Sequence, residues 1–159
     1  MFDEIDHKIL KILNERARIP VAEMARQVGL SPAGVHNRVR RLEESGVVRG
    51  YATRLDPAAL GHPLLAFVAV TLGVMRRADE VARALRAMGE VLEVHHTVGE
   101  ACFLLKVRCP DTGALEDLLA RINDLPPVRA TATTVVLRTS KDEANPPLPG
   151  LAGPAAKES

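Results

Sequence analysis

An α+β fold in two unequal parts is predicted by three features of the 159-residue chain. Up to about residue 50, apolar side chains recur at helical spacing, and each run ends at a capping signal. Between residues 63 and 139, β-rich runs alternate with two further helical periods. Residues 140–159, rich in Pro and Gly, carry neither pattern. The expected division is therefore 1–50, an all-helical domain; 51–62, a strand and linker; 63–139, a sheet-containing domain; and 140–159, a flexible tail.

Each element follows from local signals. Asp3 offers an N-cap to a first helix over about 4–16, whose apolar stripe is Ile5, Ile9, Leu10, Ile12 and Leu13. A second, shorter period (Val21, Met24, Ala25, Val28) follows Pro20 and stops at Gly29. Ser31-Pro32 then supplies an N-cap and a proline at the first helical position, where its missing N–H costs nothing. The third helix carries Val35, Val39 and Leu42 on one face and stops at Gly46. Only Gly29-Leu30-Ser31 separates the second helix from the third, which is the helix-turn-helix plan.

The third helix has the composition of a DNA-reading element. Ser31, Ala33, Gly34, His36, Asn37, Arg38, Arg40 and Arg41 are expected on its outward side. Small Ala33 and Gly34 let the backbone approach the bases, and an unneeded Gly inside a helix costs ~1 kcal/mol. Asn37 and Arg38 have the side chains for bidentate contacts to adenine and guanine, whereas Arg40 and Arg41 are placed for phosphates. Net charge is only +1, which argues against a chain that coats nucleic acid indiscriminately. Residues 31–54 nevertheless hold five arginines against two acids, a local basic face suited to double-stranded DNA. After Gly46, Val47 to Leu55 reads as a strand, a remnant of a wing, ended by Asp56-Pro57.

In the second half, Leu64–Val74 is a buried strand and Asp79–Met88 a helix closed by Gly89. Val91–Val98 and Ala101–Cys109 form a hairpin whose two-residue Gly99-Glu100 turn fits type II′. A helix opening at Pro110-Asp111-Thr112 carries Leu115, Leu118, Leu119 and Ile122 until Pro126-Pro127, and Val128–Leu137 is the final strand. The order βαββαβ is ferredoxin-like, an antiparallel sheet with helices on one face. Leu64–Val74 is apolar on both sides, so the uncovered face calls for a partner subunit, and face-to-face dimers are expected.

Composition sets the remaining bounds. With 47% hydrophobic residues but 3% aromatics and no Trp, the cores are built from Leu, Val, Ile and Ala. Two domains this small gain from oligomerisation. Cys102 and Cys109, on one strand at ~3.3 Å per residue, lie roughly 20 Å apart and cannot bridge each other. No secretory leader opens the sequence and no apolar run approaches ~20 residues, so a cytoplasmic protein with no membrane partner is expected.

The chain resembles the leucine-responsive/asparagine-responsive (Lrp/AsnC) family of bacterial and archaeal transcriptional regulators. The resemblance is carried by Phe2-Asp3-Glu4-Ile5-Asp6, Arg18-Ile19, Leu30-Ser31-Pro32, the run from Val39 through Tyr51, Leu55-Asp56-Pro57 and Gly61. It implies a winged helix-turn-helix, dimers joined through the C-terminal domains and commonly assembled into octamers, and an amino acid as effector; no cofactor is expected. The effector is implied between dimers, beside Val98, Gly99, Glu100, Ala101 and Cys102, with Thr134, Val135 and Val136 contributing. The family turn reads Gly, any residue, an aromatic, Asp, whereas here Ala101 and Cys102 stand in the last two places. A different effector, weaker binding or effector-independent DNA binding are the readings this leaves open.

Two alternatives come from the same region. Cys102, expected opposite Thr97 and on the face of His95, raises a thiol- or metal-responsive reading, although two ligands fall short of the usual four for zinc. Sirohaem decarboxylases resemble the family in architecture, and His95-His96 is the candidate pair for that chemistry. The intact basic third helix argues against it. No phosphate loop, nucleophile elbow or carboxylate pair appears in a recognisable setting, and no enzyme is expected.

Overall fold

The computed structural model describes residues 2–148, with the side chain of Met75 left aside. The chain forms two compact units: one of residues up to Arg54 together with those from Lys141 onward, the other Leu55–Ser140.

In the first unit, α1 (Glu4–Glu15), α2 (Val21–Val28) and α3 (Pro32–Glu44) enclose Ile9, Met24, Ala25, Val28, Val35 and Leu42. The Asp3 carboxylate accepts from the Asp6 amide at 2.8 Å while Asp6 accepts from the Asp3 amide at 3.2 Å, a reciprocal cap on α1. Gly29 ends α2 at φ 73°, a left-handed setting that a side chain would strain. Ser31 caps α3 by accepting from the Gly34 amide at 3.1 Å, with Pro32 at the first turn.

Val47–Leu55 does not form the expected strand. Among the described residues no strand pairs with it, and its polar groups turn back on α3 instead. The Val48 amide donates to the Leu42 carbonyl at 3.0 Å, and the Tyr51 hydroxyl donates to Glu43 at 2.8 Å. The described part of the tail makes a few contacts with this unit. Arg54 donates to Asp142, and the Asn145 amide group donates to Asn14 on α1 at 2.6 Å. Pro146, Pro147 and Leu148 line a groove with Lys11, Asn14 and Glu15. A few side-chain bonds and proline contacts hold it, which hydropathy alone does not reveal. Residues 149–159 of the expected tail lie outside the described residues.

The second unit runs β1 (Leu64–Leu72), a 3-10 turn (Met75–Arg77), α4 (Ala78–Arg86), β2 (Val91–His96), β3 (Phe103–Cys109), α5 (Thr112–Asn123) and β4 (Val128–Val135). The sheet order is β2-β3-β1-β4, with antiparallel neighbours throughout. This is the βαββαβ arrangement expected. Ala66, Val68, Val70, Phe103, Leu105 and Val107 pack beneath Val81, Leu85, Leu115, Leu118 and Ile122, placing both helices on one face.

Registers define the opposite face. Phe67 stands between Lys106 and Thr134, and Ala69 between Leu104 and Ala132. Among the described residues no helix covers these rows; Leu104 and Ala132 are exposed, and Phe67 and Ala69 half-buried. The hairpin is wider than the two-residue turn expected. β2 ends at His96 and β3 begins at Phe103, with the Thr97 amide donating to the Cys102 carbonyl at 3.0 Å. The Thr97 hydroxyl donates to the Ala101 carbonyl at 2.8 Å, replacing a ladder bond and leaving Val98–Ala101 as a four-residue loop.

Candidate nucleic-acid interface and effector site

On α3, Ser31, Ala33, His36, Asn37, Arg40 and Arg41 are exposed, and Gly34 is half-buried. A Cβ built on Gly34 would stand 3.3 Å from the Ser31 hydroxyl oxygen, so this glycine also leaves room for the cap. Arg41 has no carboxylate partner among the described residues. Arg40 pairs with Glu44 one turn away at 2.7 Å, both side chains exposed. Exposed i,i+4 pairs contribute only about 0.3–0.5 kcal/mol, so a phosphate can replace Glu44 at little cost.

Arg38 differs from the expected base-contacting side chain. Its Nη1 donates to Asp3 at 2.6 Å and to Asp6 at 2.8 Å, and the Asp6 side chain is 4% exposed. The signal for its inward placement was available: Arg38 lies three residues after Val35 and four before Leu42, on the stripe that faces the core. The Asp6 amide, then Arg38, hold the Asp3 carboxyl below the usual range, and the two acids raise the Arg38 guanidinium pKa further.

The expected effector residues fall into two groups. At the hairpin, Val98, Gly99 and Glu100 are exposed, while Ala101 and Cys102 are half-buried. Gly99 holds φ 133°, which favours glycine. The loop is tied to the end of β1: Cys102 donates its amide to the Val70 carbonyl at 2.8 Å, and the Thr71 hydroxyl donates to the Glu100 carbonyl at 3.2 Å. The Leu72 amide points at the Cys102 sulfur, 3.4 Å away. Thr134 and Val135 instead pair with Phe67 and Ala66, and Val136 donates to Leu65, near the beginning of β1. At ~3.3 Å per residue, the two groups are separated by roughly 13–17 Å along β1. One protomer does not bring them together.

Thr97 stands opposite Cys102, as expected, but the His95 ring meets Glu93 at 2.9 Å. His95, then Lys106, lower the Glu93 pKa. His96 turns to the other face, its ring 4.8 Å from that of Phe103. The two histidines therefore do not line one pocket. Among the described residues, no three His, Cys, Asp or Glu side chains gather to hold a metal.

Residues 2–49 match the family model for winged helix-turn-helix DNA-binding, and residues 65–146 match that for the Lrp/AsnC ligand binding domain. The chain belongs to the Lrp/AsnC family. It is 36% identical over 146 residues to the HTH-type transcriptional regulator FL11 of Pyrococcus horikoshii, covering 92% of this chain and 96% of that protein. It is 41% identical over 137 residues to the HTH-type transcriptional regulator LrpA of Mycobacterium tuberculosis, covering 86% and 91%. A Neisseria meningitidis transcriptional regulator, solved in complex with L-Met, superposes with TM-score 0.88 at 30% identity, covering 94% of this chain and 98% of that one. This Lrp/AsnC protein is thus a DNA-binding transcriptional regulator with an effector domain, and the enzyme alternative falls away because the relatives are regulators. Among the described residues, no helix is long and apolar enough to cross a membrane.

Proposed function

We propose that this regulator reads duplex DNA with the exposed side of α3, as a dimer or larger assembly joined through the open sheet face, under control of an amino acid. The observation that carries the reading is the division of α3 into a buried stripe and an exposed face of Ser31, Ala33, His36, Asn37, Arg40 and Arg41, with half-buried Gly34 beside them. Asn37 has the chemistry for adenine, and Arg40 and Arg41 for flanking phosphates.

Several features support the effector reading. The Neisseria relative was solved with L-Met. The amides of Val98, Gly99, Glu100 and Ala101 have no hydrogen-bond partner among the described residues, leaving donors for a carboxylate. Because the hairpin and Thr134–Val136 lie at opposite ends of β1, a site using both takes them from different protomers.

A thermal-shift series over the twenty amino acids, repeated with the wild-type protein on a DNA duplex that it selects from a random pool, tests the proposal. One or a few amino acids should raise the melting temperature and change DNA affinity. A series in which none does either removes the effector part. Asn37→Ala should weaken binding to the selected duplex by about 1–3 kcal/mol and relax base preference at one position in each half-site. Unchanged binding would remove α3 as the reading helix.

A further inference from the structure

The pairing of Arg38 with Asp3 and Asp6 connects the cap of α1 to the middle of α3. Asp6 is buried and has duties on both oxygens, one accepting from the Asp3 amide and the other from Arg38. Asp3 likewise accepts from the Asp6 amide with one oxygen and from Arg38 with the other. Around this contact the helices otherwise meet through aliphatic side chains: Ile9 from α1, Val35 and Leu42 from α3. Aliphatic packing resists separation but discriminates poorly between small rotations and slides, because dispersion and burial have little direction. A charge-assisted hydrogen bond has both a length and an angle, and one guanidinium nitrogen shared by two carboxylates, each also held by the other residue's backbone amide, has few equivalent positions.

We propose that Arg38 is a positioning residue, which through Asp3 and Asp6 fixes the rotation and axial setting of α3 on α1 so that Asn37 meets the bases in one register. The inference rests on α3 being the reading helix. Arg38 makes no base contact of its own in this scheme. Direct recognition would withdraw it from a buried carboxylate, whereas Arg40 has only an exposed partner to leave and Arg41 none among the described residues. Charge gives the proposal an unusual sign. Removing the negative charge of Asp6 would strengthen DNA binding if only the electrostatic field mattered, because polyanion affinity rises with positive charge. A positioning role predicts that the same change weakens specific binding.

The experiment uses the full chain and a duplex of about 30 base pairs, roughly three helical turns, selected by the wild-type protein from a random pool, with an unrelated duplex as the non-specific probe. Affinities of Asp3→Asn, Asp6→Asn, Arg38→Ala, Arg41→Ala and Asn37→Ala are measured between about 50 and 200 mM salt, below each variant's melting temperature. Asp6→Asn and Arg38→Ala should each lose tenfold or more on the selected duplex and less than twofold on the unrelated one. The double variant should lose no more than the worse single, because both break one device. Arg38→Ala should leave the salt slope unchanged, while Arg41→Ala should lower it by about 0.9 for each phosphate that Arg41 neutralises. If Asp6→Asn fails to fold, Asp3→Asn, which alters an exposed carboxylate, should still show the same selective loss in milder form. Asp variants that bind the selected duplex as well as or better than wild type, with Asn37→Ala impaired, overturn the clamp and leave the reading helix standing. A lowered slope for Arg38→Ala overturns it too, by making Arg38 a phosphate ligand. Unimpaired Asn37→Ala overturns the reading helix and the clamp's place in recognition with it.

Discussion

Tyr51 is the one tyrosine in a chain without tryptophan, so its ultraviolet titration reports a single site. Partial desolvation of a ring that stays about half exposed, and then the hydrogen bond to Glu43, push its pKa up to about 12. The folded form holds the phenolic proton more tightly than the unfolded chain does. This contribution to stability is present below the ordinary value near 10 and is lost as pH rises towards about 12. Phenolate absorbance in the folded protein should therefore rise later than in the urea-unfolded chain, and Glu43→Gln should bring the midpoint down. Coincident curves would remove the Tyr51–Glu43 contact from the solution structure. Asp3 has the opposite sign. Its folded pKa lies below the ordinary 3.8, so its contribution is present above that value and fades as pH falls through the lower, folded one. The difference in melting temperature between wild type and Asp3→Asn should be level above about pH 5 and narrow below about pH 4. A level difference down to about pH 2 would contradict the assignment. The span and the cap of α3 were readable from the sequence because capping and periodicity are local. The partners of Arg38 were not, because they sit far away in the chain, at its beginning.

At the scale of elements, the helices and strands follow hydrophobic period and caps closely. The departures occur where partners decide the outcome. Val47–Leu55 has β-forming residues but no strand among the described residues to pair with, and the tip of the hairpin gives up its ladder to the Thr97 hydroxyl. The open sheet face was legible from the two-sided apolarity of β1, and its rows around Phe67 and Ala69 give it a definite composition. Phe67→Asp places a carboxylate opposite Lys106, which can accommodate it in a lone protomer but not against an apolar partner face. Sedimentation equilibrium should show self-association weakened by at least about 100-fold, about 2.7 kcal/mol, with circular dichroism unchanged. A variant that associates like wild type would mean that another surface joins the protomers.

Across the whole molecule, the chain passes between its two compact units at Arg54 and Leu55 and returns at Ser140 and Lys141. The returning segment is bonded to Arg54 and Asn14 and packs its prolines along α1. Ending the chain after Ser140 should lower the melting transition of the DNA-binding unit by roughly 4–8 °C, as expected for about 1 kcal/mol in a unit of this size, and leave that of the sheet unit unchanged. Equal transitions in differential scanning calorimetry would show the strap to be energetically idle. Sequence composition pointed to a loose tail because polar residues and prolines bury little; their few directed bonds are specified only once α1 is in place.

That return path bears on how such a regulator can be recombined. A DNA-reading head built from two separate stretches is not a cassette that a single cut can transfer. A chimaera exchanging residues 1–54 alone would set the incoming α1 against a strap written for its predecessor. Asn14 and Arg54 on one side, and Asp142 and Asn145 on the other, would then have to change together. Interchange of target specificity between members that share this return is expected to proceed by substitutions on α3 more readily than by swapping heads.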